Sequence, residues 1–240
     1  MATGPFNRYA SPGRVVDQAL YDEGLRQFML RVYNYMAIGL VLTGFVAFFV
    51  ASSPALYVPL FTTPLKWVVM LAPIAFVFFL SARVATLSPG TTQVLFWVFS
   101  GLMGLSLSTI FLVYTGGSIA RVFFITAATF AATSLYGYTT RQDLTRMGSF
   151  LFMGLIGIVI AGVVNIFIGS TALQFAISVI GVVVFTGLTA WDTQQIKETY
   201  DEAWGQEAVS KLAIMGALRL YLDFINLFIS LLQLVGDQRR

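Results

Sequence analysis

Three stretches of this chain, residues 32–65, 84–120 and 147–191, contain no Asp, Glu, Lys or Arg. No water-facing surface is built from runs of that length without charge, whereas a bilayer-spanning helix needs about 20 consecutive apolar residues. The chain is therefore read as an all-α integral membrane protein. Span 1 fits about 32–51, and Ser52, Ser53, Pro54 and Pro59 mark a loop after it. Only 16 residues lie between Lys66 and Arg83, so span 2 takes in Arg83 or lets it snorkel at one end, with Pro73 as a point of kinking. Span 3 fits 93–114, and Gly116-Gly117 reads as the turn after it. Span 4 fits 122–138. The run 147–191 holds two spans, 148–168 and 172–195, broken at Gly169-Ser170. Span 7 fits 213–235.

Ahead of these spans lies a separate segment, 1–31, leaving 32–236 as the transmembrane domain. Residues 1–14 are rich in Gly, Pro and Ser and read as disordered. Residues 16–31 read as an amphipathic helix on the membrane surface, with Val16, Leu20, Phe28 and Met29 on one side. The polar start, with Asp17, Asp22 and Glu23, does not match a secretory signal.

Charge and missing residue types exclude several functions. A net charge of +3 suits positive cytoplasmic loops better than nucleic-acid binding. The chain has no Cys and no His, which removes disulfides, Cys/His zinc sites, His-ligated haem and Ser-His triads. No nucleophile–base set is visible, so the chain is not expected to be an enzyme, and no resident cofactor is required. With seven spans, the N-terminus and the loops after spans 2, 4 and 6 share Arg8, Arg14, Arg26, Arg31, Arg83, Arg141, Arg146, Lys197 and Lys211. The opposite side has Lys66, Arg121, Arg239 and Arg240. This bias places the N-terminus in the cytoplasm. Six spans with a C-terminal re-entrant helix would bring Arg239-Arg240 to the cytoplasmic side as well.

The polar residues that lipid should exclude carry the functional reading. Only 13 residues separate Asp223 from Asp237. If span 7 crosses the membrane, Asp223 enters it, at roughly 2.5–3.5 kcal/mol for a central Asp. Arg219, Asp223, Asn226, Ser230 and Gln233 recur at steps of four and three, which puts them on one helical stripe facing the bundle. Asp192 closes the last uncharged run: it is either an interfacial helix-end charge or, with Thr189 and Gln195, part of a polar face. Arg83, Asp192 and Asp223 all fall in the cytoplasmic half, where they either meet or snorkel separately. Arg219, four residues before Asp223, competes with Arg83 as its partner. Thr126, Thr129, Thr133 and Tyr136 on span 4, and Ser100, Gly104 and Ser108 on span 3, read as packing faces rather than pore linings.

The segments LRQFMLRVYNYMAIGLVLTG, TAATFAATSLYGYTTRQDL, AWDTQQI and LYLDFINLFISLLQL make the chain resemble the Bax inhibitor-1 family, also called the transmembrane Bax-inhibitor-motif family, over about residues 25–235. The resemblance implies a seven-transmembrane helix bundle with the last helix central, in the bacterial inner membrane. It implies a calcium leak across the membrane with pH sensitivity, tied to a pair of Asp residues matching Asp192 and Asp223. It also implies an arginine partner on the second span, matching Arg83. Two nearby carboxylates resist double ionisation and share a proton. Proton occupancy would then set how spans 2, 6 and 7 pair and so open or shut a cation route. Calcium, as the transported ion, would meet a weak site at Asp192 and Asp223, supported by Asn226. Two other readings stand beside this one: a regulatory protein that binds a membrane protease, as some bacterial relatives do, and a proton-coupled secondary transporter.

Overall fold

The fold is a computed structural model that describes residues 12–201 and 203–239, with side-chain surroundings from residue 21 onward. The expectations for residues 1–11, for Arg14, Val16, Asp17 and Leu20 as side chains, and for Arg240 lie outside the described residues.

Among the described residues eight helices follow in order: α1 Pro12–Ala51, α2 Pro54–Thr62, α3 Leu65–Arg83, α4 Pro89–Val113, α5 Gly116–Thr139, α6 Thr145–Ile168, α7 Thr171–Thr199 and α8 Gln206–Val235. Seven of them are long and apolar enough to cross a membrane, all but α2. Their starts follow from side chains that satisfy the free N–H groups of a first turn. Ser88 accepts from the Thr91 amide, Thr115 from Ser118 and Ser170 from Leu173, at 3.2–3.3 Å. Helix α6 ends at Gly169, whose φ of 67° only glycine adopts without strain.

Helix α8 occupies the centre. It packs against α1, α4, α5 and α7, while α3 lies outside on α4 and α6 outside on α7. At 30 residues, α8 is about 45 Å long, well over the hydrocarbon thickness, and it runs unbroken. The re-entrant alternative is thereby replaced by a seventh span.

Lipid is as apolar as a leucine side chain, so close fit and hydrogen bonds must hold the helices together. Gly104 of α4 sits against the Thr43 carbonyl and Val46 of α1, so close that a Cβ there would stand 2.7 Å from both. Ser100 and Ser108 are buried on the same face, as a packing ladder requires. Tyr221 of α8 is fully buried and places its hydroxyl 2.6 Å from Thr43. Because Thr43 spends its one proton on a backbone carbonyl of Gly39 or Ser100, Tyr221 is the donor of that bond.

The structure differs from expectation at three places. Residues 52–59 are largely helical, as α2, because Pro54 sits in the first turn, where its missing N–H is not needed. Gly116-Gly117 is not a turn but the first turn of α5, made possible by the Thr115 cap. Helix α1 begins at Pro12, inside the stretch 1–14 read as disordered, and continues without a break through residue 31, with Leu25, Phe28 and Met29 buried in the protein core. The apolar spacing is the same whether a helix faces lipid or protein, so the pattern alone does not separate the two. On α5, Thr126, Thr129 and Thr133 each donate to a carbonyl of their own helix, and Tyr136 is exposed.

Candidate functional site

Four consecutive residues at the end of α7 face four directions, because each step turns a helix by about 100°. Trp191 reaches α6, where its ring lies against Gly148 and fills the space a side chain would take. Thr193 reaches α5 through Ser134 at 2.9 Å, and Ser134 in turn meets the Tyr33 hydroxyl of α1 at 2.7 Å. Gln194 is buried and clamps the α5–α6 connection. Its Oε1 accepts from the Leu144 amide at 2.9 Å and its Nε2 donates to the Gln142 carbonyl at 2.8 Å. That leaves Asp192 turned towards α8.

There it meets Asp223. The two carboxyl groups stand within hydrogen-bonding reach of each other, and the Arg219 guanidinium acts electrostatically on both. Asp223 is only 5% exposed, and its Oδ2 has no hydrogen-bond partner among the described residues. The buried Trp191 Nε1 is likewise unpaired. Other parts of Asp223 and Trp191 border a cavity of about 380 Å³ between α6, α7 and α8. Its walls are Phe152 and Leu155 from α6, Phe185, Leu188 and Trp191 from α7 and Leu222 from α8, with Asn226 as the further polar group. The Asn226 amide donates to the Leu222 carbonyl at 2.8 Å, and its oxygen makes no hydrogen bond among the described residues.

The sequence-derived stripe on α8 is thus one surface with two ends. At one end are Arg219 and Asp223. At the other, Gln233 accepts from Gln174 at 2.7 Å and from Ser178 at 2.8 Å, and Gln174 accepts from Asn165 at 3.1 Å. Between them Ser230 donates to the Asn226 carbonyl. Apolar residues Val184, Phe185 and Leu227 pack tightly in the same layer.

Arg83 lies elsewhere. It is exposed at the end of α3, which packs on α2 and α4, and it is not among the residues bordering the cavity. Arg219 is the cation beside the carboxylates, and among the described residues it makes no hydrogen bond or ion pair within 4 Å. It also borders a second cavity of about 70 Å³, with Phe28, Ile196 and Gly216. The connection after Arg83 is held instead by Lys211 of α8, whose Nζ donates to the Leu87 carbonyl at 3.2 Å. Trp191 is the site residue that sequence reasoning missed. An indole beside the Asp of AWDTQQI carries a polar atom into an apolar run, but nothing local to it says which helix it meets.

Comparison with known proteins places these features in a family. The family model described as "Inhibitor of apoptosis-promoting Bax1" matches residues 25–240. An uncharacterized protein of Rickettsia prowazekii is 51% identical over 91% of this chain and 93% of its own length. The inner membrane protein YbhL of Escherichia coli K12 is 48% identical over 90% of this chain and 94% of its own. An uncharacterized membrane protein of Streptococcus pyogenes is 35% identical over 92% and 98%.

Proposed function

The chain belongs to the Bax inhibitor-1 family, and from that membership we propose that it is a pH-sensitive calcium leak, a channel or transporter whose path is governed by Asp192 and Asp223. One observation carries the reading: two acidic side chains from different helices converge at a mostly apolar cavity between α6, α7 and α8, and one of them keeps a buried oxygen without a partner among the described residues. Lipid-embedded carboxylates are costly and occur where ions or protons pass.

In this mechanism the pair holds one proton between its carboxyl groups, because two adjacent negative charges in a poorly hydrated site repel strongly. Loss of that proton leaves a net negative site that attracts a cation and draws on Arg219 for balance. Calcium is cargo here and binds weakly. It takes 6–8 oxygen ligands in a tight site, and among the described residues no group of three or more His, Cys, Asp or Glu gathers. Asn226 offers a further oxygen. Arg83, exposed on α3, reaches the pair only through a movement of α3 towards α8, and that movement is the part of the mechanism assigned to it. The protein sits in the bacterial inner membrane, as the relative YbhL is named for doing, with its N-terminus in the cytoplasm.

The test is calcium flux into proteoliposomes across a pH series, for the wild type, Asp192→Asn and Asp223→Asn. Each substitution is expected to flatten the pH dependence. Flux that is unchanged and remains pH-dependent in both variants would overturn the reading. A stable membrane-protease partner with no flux in the isolated protein would replace it with the regulatory one.

A further inference from the structure

Helices α1 and α5 both pack on α8, and among the described residues they make no comparable contact with each other. A cleft therefore runs between them. On α1 it is bordered by Arg26, Leu30, Tyr33, Leu40, Gly44 and Ala47, whose steps of three, four or seven put them on one helical stripe. That stripe is about 32 Å long, close to the hydrocarbon thickness of a bilayer. On α5 the facing stripe is Ile119, Phe123, Phe130, Ser134 and Tyr138. Two cavities lie in the cleft, one of about 570 Å³ beside Arg26 and one of about 100 Å³ beside Gly44. Between them the two stripes carry the small residues Ala37 and Ala127. A Cβ on Gly44 would meet nothing within 4 Å, and Leu30, Phe123 and Leu135 on the rims are exposed, so the cleft opens sideways.

The cleft is apolar along its length and positive at one end. Arg26 borders it and no acidic side chain does. Glu23 pairs with Arg26 at 3.3 Å, but both side chains are more than half exposed. Such a pair is weak, and the guanidinium is free to turn to another anion. Lys197 adds a second charge behind Tyr138. Its Nζ lies 5.2 Å from the centre of that ring and donates to the Tyr138 carbonyl at 2.8 Å. The Tyr138 hydroxyl makes no hydrogen bond among the described residues and remains a donor at the rim. Deeper in, the donors are spent. Thr193 gives its proton to the Thr189 carbonyl, so Ser134 donates to Thr193 and Tyr33 to Ser134. Anion recognition is thus confined to one end, and the rest of the cleft receives hydrocarbon.

We propose that the cleft between α1 and α5 binds one acyl chain of an anionic phospholipid, whose phosphate lies against Arg26 and Tyr138. Positive pockets between transmembrane helices at the level of the headgroups suit such lipids. The open side lets one chain enter while the second stays in the bilayer. The proposal is independent of Asp192, Asp223 and calcium.

The experiment is native mass spectrometry of the purified full-length protein in detergent, titrated with dioleoyl phosphatidylglycerol, with dioleoyl phosphatidylethanolamine and with oleate. Phosphatidylglycerol is expected to bind about tenfold more tightly than phosphatidylethanolamine. Arg26→Gln is expected to reduce that preference to about twofold. Ala131→Trp, which fills the larger cavity from α5 without touching a charge, is expected to weaken both phospholipids about fivefold. Both positions are exposed, so neither variant disturbs the core. Lys66→Gln, which removes a charge that does not border the cleft, is expected to leave the preference as it is. Equal affinity for the two phospholipids, or wild-type binding in both Arg26→Gln and Ala131→Trp, would overturn the proposal. So would an equal loss of preference in Lys66→Gln, since net charge would then be the cause. Tighter binding of oleate than of phosphatidylglycerol would replace the occupant with a single-chain anion. A dimer that carries no lipid and is lost in Ala131→Trp would replace it with a second copy of the chain.

Discussion

At the scale of single residues, the protein separates polar groups that hold helices together from those left without partners. Tyr221 belongs to the first kind. Fully buried, it packs edge-on against Phe99 and Phe96 with ring centroids 5.5 and 6.1 Å away and donates to Thr43. Tyr221→Phe keeps the ring contacts and removes one donor, and is expected to cost about 1 kcal/mol, measured as a shift in unfolding in mixed detergent–SDS. Asp223 and Trp191 belong to the second kind. Asp223 was legible in the sequence, because 13 residues to the next charge are too few to cross a bilayer. Trp191 was not, since what makes it part of the site is the empty flank of Gly148 on the preceding helix, a contact that no local pattern reports. The choice between Arg219 and Arg83 was open for a related reason. Position along the chain places both near the same end of the bundle, and only packing tells which of them shares a cavity with the carboxylates.

At the scale of elements, α7 works as a connector. Its last turns attach to α6 by Trp191, to α5 by Thr193, to the α5–α6 connection by Gln194 and to α8 by Asp192. Gln194→Ala removes both bonds to residues 142–144 and leaves the Leu144 N–H without its acceptor. A loss of about 1–3 kcal/mol is expected, together with faster trypsin cleavage at Arg141 and Arg146, read by limited proteolysis. The spans were legible to within a few residues wherever charge or Gly-Ser breaks bounded them, as at Gly169-Ser170. They were less so at α1 and α8, whose helices run well past their apolar stretches. Both ends are amphipathic helix stabilised by packing on protein, and hydropathy counts only the part that lipid would accept.

At the scale of the whole molecule, sidedness and motion follow from the same architecture. The chain contains no cysteine, so single cysteines at Arg141 and Gln238 report the two faces without background. An impermeant maleimide on intact cells is expected to label Gln238→Cys and to spare Arg141→Cys until the membrane is broken. The reverse result would invert the topology. The C-terminal segment beyond α8 is stitched to the connection between α4 and α5. The Thr115 amide donates to the Asp237 carbonyl at 3.0 Å, the Arg239 amide donates to the Val113 carbonyl at 2.8 Å, and Arg121 pairs with Asp237 at 2.8 Å. At the other end of α8, Lys211 holds the connection between α3 and α4. The central helix is therefore an axle fixed in bearings on both faces of the membrane. Opening beside it falls to the outer panels, α3 on α4 and α6 on α7, which α8 does not itself hold in place.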